Sequence, residues 1–117
     1  MRLVYTENLH NLPLPPGHRF PIGKYDRIYA RLAEQFPWAM QLGASAPWEE
    51  VLLVHAREYA EAVRDGTLGE TAVRRLGFPW SPLLVTRSLR SVGGTLSTLA
   101  WAVQEGAAGH IAGGTHH

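Results

Sequence analysis

The chain has 117 residues, 45% apolar and 18% charged, with eleven Lys and Arg against ten Asp and Glu for a net charge of +1. That is one folded domain, residues 1–117, with too little basic excess for a general nucleic-acid binder. Cysteine is absent, which excludes disulfides, thiolate metal sites and thiol nucleophiles. No apolar run approaches the ~20 residues that span a bilayer, and Met1 to His10 has no apolar signal core, so the expectation is a cytoplasmic protein without membrane contact.

Arg2-Leu3-Val4-Tyr5 is rich in strand formers. Asn8 to Gly23 carries Pro13, Pro15, Pro16 and Pro21 with two glycines and predicts an extended loop. Tyr25, Ile28, Tyr29, Leu32 and Phe36 then step by 3, 1, 3 and 4, one helical face, until Pro37 stops the helix. Trp38 to Pro47 is expected to be a linker. Val51-Leu52-Leu53-Val54 is a continuous apolar run that suits a strand buried on both faces. A short helix, Arg57 to Asp65, ends at Gly66. Thr67 and Glu70 have capping-box spacing and begin a helix that runs through Leu76.

Gly77-Phe78-Pro79-Trp80 is a turn, and Ser81 with Pro82 is a strong helix start. Val85, Leu89, Val92, Leu96, Leu99 and Val103 follow at spacings of 4, 3, 4, 3 and 4, so one long helix crosses Gly93-Gly94 and ends at Gly106. The two glycines cost roughly 1 kcal/mol each relative to Ala, a cost that close packing offsets. Gly109 to Gly113 is expected to be a third buried strand. Strands alternating with helices predict an α/β class with a small parallel sheet.

The strongest chemical candidate is the pair His116-His117 after Gly113-Gly114-Thr115, just past that strand. Catalytic groups of open α/β sheets collect beyond the carboxyl ends of strands. Two adjacent histidines there can divide into a neutral base and a charged neighbour, because mutual repulsion splits their pKa values. On the bare pair, a tag remnant or a solvated chain end is the more frequent origin. His10, His18, His55 and His110 have no metal-ligand spacing. Arg74, Arg75, Arg87 and Arg90 lie in an acid-free stretch and are expected to face solvent or to pair with the acids of Glu49 to Glu70. Gly93-Gly94-Thr95 lacks the Lys of a phosphate loop, and no serine sits in a Gly-x-Ser-x-Gly elbow.

Five stretches taken in order resemble the amino-terminal part of the histone deacetylase superfamily, in its class IV-like and related bacterial branch. They are Gly17-His18-Arg19-Phe20-Pro21 with Lys24-Tyr25, Val51 to His55 with Tyr59, Gly77-Phe78-Pro79-Trp80-Ser81-Pro82, Gly93-Gly94-Thr95 and Gly113-Gly114-Thr115-His116-His117. The last is the specific one, and with it the tag-remnant origin gives way.

The resemblance implies the front part of an arginase/deacetylase-type fold, with strands near Arg2–Tyr5, Val51–Val54 and Gly109–Gly113, all parallel, the first between the other two. These segments as helix, or paired antiparallel, would sink the fold assignment and most of the function with it. It also implies zinc-dependent hydrolysis of acetyl-lysine-like or acetyl-polyamine-like amides. By position His117 is the general base and later acid, His116 gives electrostatic support, Arg19 lines an internal channel, and Phe78 belongs to the substrate rim. The family's zinc ligands and carbonyl-polarising tyrosine follow the tandem histidines, whereas this sequence has no Asp after Asp65 and no Tyr after Tyr59. The expectation is therefore an inactive segment that binds no zinc by itself, with a non-catalytic, associating α/β module as the alternative. An open edge at Gly109–Gly113 and an adjoining apolar face predict a homo-oligomer or pairing with a complementary carboxyl-terminal segment.

Overall fold

The computed structural model describes residues 1–7 and 12–113. Strand β1 (Arg2–Tyr5) is central in a parallel three-stranded sheet, between β2 (Met40–Leu42) and β3 (Ala108–His110). The register pairs Leu3 with Met40 on one side and with Gly109 on the other. Among the described residues are also five α-helices, α1 (Lys24–Gln35), α2 (Trp48–Val54), α3 (Arg57–Asp65), α4 (Glu70–Leu76) and α5 (Pro82–Glu105), and a short 3-10 helix at Pro37–Ala39. None is long and apolar enough to cross a membrane.

Pleating divides the sheet between two helices. Tyr5 faces α1, where its ring lies 4.7 Å from that of Tyr29. Arg2 faces α5, its guanidinium 5.0 Å above the Trp101 ring. Val4 is on this second face and is completely buried. The core is thin: among the described residues four of the eight buried apolar ones are Ala39, Ala46, Ala60 and Ala112. The radius of gyration is 15.2 Å, against ~13–14 Å for a compact domain of this length. Much apolar surface is left at the periphery.

Several expectations are met at residue level. Helix α3 ends on Gly66 at φ +73°, and α5 ends on Gly106 at φ +86°, where the left-handed conformation suits glycine. The Ser81 hydroxyl accepts the Leu84 N–H at 3.1 Å, and α5 runs unbroken through both glycines.

Other expectations are corrected. Val51–Val54 is the second half of α2, not a strand. Pro47, extended, sets the start, Glu49 and Glu50 occupy the first turn where the helix dipole favours acids, and Leu53 and Val54 are 81% and 80% exposed. One of the three segments in that criterion is thus helical, while the strands at Arg2–Tyr5 and Ala108–His110 pair in parallel. The sheet keeps three parallel strands because Met40–Leu42, expected to be linker, pairs with β1 instead. The third strand is Ala108–His110, shorter and earlier than Gly109–Gly113. The Thr67–Glu70 capping box does not form: Gly69 precedes α4 without a side-chain cap, while the Thr67 N–H closes the end of α3 on the Ala62 carbonyl at 2.9 Å.

From the sequence, the stripe Val85 to Val103 is expected to cover one side of the sheet, and the orientation of α5 differs. Its small residues meet the sheet. A Cβ on Gly93 would collide with the backbone of Ala44 to Ala46, and one on Gly94 with His110 and Thr6. Val92, Leu96, Leu99 and Val103 lie on the opposite side, with exposures of 46%, 38%, 60% and 79%. The apolar stripe therefore does not cover the sheet.

Candidate functional site at the carboxyl edge of the sheet

All three strands end at the same edge. Backbone bonds carry the pairing past the strands: the Gly43 N–H donates to Tyr5 O at 2.8 Å, and the Ile111 N–H to Val4 O at 2.9 Å. The Ser91 hydroxyl donates to the buried Ala112 carbonyl at 3.3 Å, and Ala112 packs with Tyr25 and Phe20. These contacts hold the chain at the carboxyl edge up to Gly113, the last described residue before 114–117. The candidate catalytic residues His116 and His117 lie outside the described residues, as does His10.

Beside Ala112 the fold assembles an aromatic cluster from segments some 60 positions apart in sequence. His18 Nδ1 accepts the Phe20 N–H at 3.2 Å, so its proton is on Nε2, which donates to the Gly77 carbonyl at 3.1 Å. The imidazole stacks on Phe78 with centroids 5.5 Å apart, and Phe78 meets Phe20 edge-on at 5.1 Å. The Arg87 guanidinium lies 5.3 Å from the Phe20 ring, 5.7 Å from Tyr25 and 5.9 Å from Phe78, and donates to the Tyr25 hydroxyl at 3.4 Å. Arg87 was expected to face solvent or the acids of Glu49 to Glu70; it is half-buried among these rings. Phe78 thus packs in this cluster with His18, Phe20 and Arg87. Arg19 is not drawn in, and its side chain is exposed.

A second polar feature is centred on His110, which sequence reasoning set aside. The Thr95 hydroxyl donates to Ser91 O at 3.2 Å, so His110 Nδ1 carries the proton and donates to Thr95 Oγ1, also at 3.2 Å. Nε2 is left as an acceptor against Gly94. It and Thr6 Oγ1 are buried without hydrogen-bond partners among the described residues. Burial pushes the His110 pKa below its usual value, because the charged imidazolium loses hydration. The strand position of His110 was legible in the sequence, but its contact with a helix glycine was not.

On the far side of α5 an apolar groove of about 490 Å³ runs between this helix and α2–α4, walled by Val51, Val54, Tyr59, Leu89, Val92 and Leu96 among others. Among the described residues no three His, Asp or Glu side chains come together as metal ligands. The described part of the chain does not fit a zinc centre.

Sheet and helices define the class of the molecule as a small α/β domain with a three-stranded parallel sheet. No protein-family model matches the chain. A protein of Picosynechococcus sp. described as uncharacterized is 41% identical over 111 residues, covering 90% of this chain and 36% of the relative. The chain therefore spans about a third of the length of the curated relative it matches.

Proposed function

We propose that this chain is the amino-terminal segment of a deacetylase-type hydrolase of the arginase/deacetylase fold, acting on acetylated amines such as acetyl-lysine or acetyl-polyamines. The observation that carries the reading is the path of β3. It runs parallel beside the central β1 and delivers the chain to the carboxyl edge immediately before Gly114-Thr115-His116-His117. That edge is where α/β enzymes collect catalytic groups, because the loops diverge there and leave a crevice.

The meeting of His18, Phe20 and Phe78 beside Ala112 also supports it, since two of the stretches that carry the resemblance converge there. The longer relative has sequence to supply what this chain lacks, with the match covering 36% of its length. The reading draws on β1, β3 and these loops and takes nothing from Val51–Val54. His117 serves as general base towards the attacking water and then as acid towards the leaving amine. His116, kept charged beside it, lowers the energy of the developing anion. The zinc ligands are assigned outside this chain, so the segment alone is inactive.

The test is amide hydrolysis by the zinc-loaded natural gene product that carries this sequence, with acetyl-lysine peptides and acetylated polyamines as substrates. His117→Ala should lower kcat by ~10²–10⁴ with KM little changed. A folded, zinc-loaded protein that hydrolyses neither substrate class overturns the reading. The second reading, an associating module without chemistry, is favoured by the uncovered stripe on α5.

A further inference from the structure

His110 is the titratable side chain of β3, and both its ring nitrogens are committed by the way β3 meets α5. Its register partner on β1 is Val4, which places the imidazole on the face of the sheet that α5 covers. There Nδ1–H donates to Thr95 Oγ1 at 3.2 Å, and Nε2 is closed in against Gly94. The ring fits because Nε2 carries no hydrogen. A proton there needs an acceptor, and the nearest groups do not supply one. The Gly94 carbonyl already accepts the Thr98 hydroxyl at 2.7 Å, and Thr6 presents its methyl to the same spot. The charged groups on the two elements packed against the ring are the terminal amine and Arg2 of β1, Glu7 after it, and Arg87, Arg90 and Glu105 of α5. Arg2 and the amine are bound to Glu105, the Arg90 guanidinium donates to the Glu7 carbonyl, and Arg87 lies among Phe20, Tyr25 and Phe78. None of these carboxylates bonds to the imidazole, and burial lowers its pKa.

Directly after His110 two bonds hold the chain at the carboxyl edge: Ile111 N–H to Val4 O at 2.9 Å, and the Ser91 hydroxyl to Ala112 O at 3.3 Å. Helix α5 cannot give way to a charged ring, because Gly93 is seated on the backbone of Ala44 to Ala46 and the Ala46 N–H donates to Leu89 O at 2.9 Å. Strand β3, an edge strand with β1 as its neighbour, can. We propose that His110 is a proton-operated latch between β3 and α5: neutral, it lets residues 111–113 close on Val4 and Ser91; protonated, it releases them. These residues lead directly into Gly114-Thr115-His116-His117, so the latch couples the carboxyl edge to pH. The proposal does not rest on the hydrolase reading.

Amide exchange of Ile111 in the natural gene product that carries this sequence, read by NMR, tests it. Corrected for the intrinsic pH dependence of exchange, its protection should fall up to about tenfold between about pH 7.5 and 5.5, the limit set by a released histidine titrating near 6.5. The exchange should be insensitive to urea up to about 1 M, the mark of a local opening. His110→Gln should remove the pH dependence. If that variant loses its fold, the loss of protection in the unaltered protein must follow the titration of the His110 ring in the same spectra. Protection that stays within twofold, exchange that rises with urea as global unfolding does, or a loss that persists in His110→Gln or departs from the ring titration each overturns the proposal. So does a ring that charges while Ile111 stays protected, the result expected if Thr6 turns its hydroxyl towards Nε2.

Discussion

The Nε2 atom of His110 lies against the α-carbon of Gly94, and this contact sets how closely α5 approaches β3. A methyl group at position 94 would collide with the imidazole and come within 3.0 Å of Thr6 Cγ2. Gly94→Ala gains roughly 1 kcal/mol of helix propensity and loses about 1–3 kcal/mol to overpacking. The expected outcome is a lower urea midpoint. Gly93→Ala should cost more, because its Cβ meets the backbone of Ala44 to Ala46, which has no rotamer to change.

The same histidine makes stability depend on pH. Its folded-state pKa is lowered by burial, so between that value and the unfolded value of about 6.5 the unfolded chain binds more protons. Stability is full above pH ~6.5, falls as pH drops below it, and levels off once the folded histidine is also protonated. Urea titrations from pH 8 to 5 should show the slope, and His110→Gln should remove it. Glu105, held below the usual carboxylate range by the hydrogen bond from Arg2 and by the terminal amine, gives its own loss only at more acid pH, below ~4.5. The two windows are separable.

Trp80 ties the turn before α5 to the end of α3. Its indole N–H donates to the Val63 carbonyl at 2.6 Å, and its ring lies over Gly66. Trp80→Phe keeps much of the packing but leaves that carbonyl, near a helix end, without its donor. A loss of about 1–2 kcal/mol is expected in chemical denaturation.

Zinc added to this 117-residue chain should change its thermal stability little, because a ligand stabilises only in proportion to its preference for the folded state. Thermal scans with and without the metal check this. A tight one-to-one site involving His116 and His117 would be the contrary result.

Where a structural cause is local, the sequence shows it. Pro37, Gly66, Ser81-Pro82 and Gly106 mark helix ends by their own backbone chemistry, and the ends of α1 and α3 and both ends of α5 fall within a residue of where these markers put them. The tandem histidines and the Phe78 turn stood out from residue type and order, although the contacts of Phe78 with His18 and Phe20 are tertiary. The rest depends on distant partners. A four-residue apolar run such as Val51–Val54 has no period of its own to separate strand from helix, and Met40–Leu42 becomes a strand only because β1 supplies its hydrogen bonds. The pattern of α5 marks an apolar face without saying what covers it. Only the assembled sheet, which needs the close approach that Gly93, Gly94 and Ser91 permit, turns that stripe outward and brings His110 into contact with the helix.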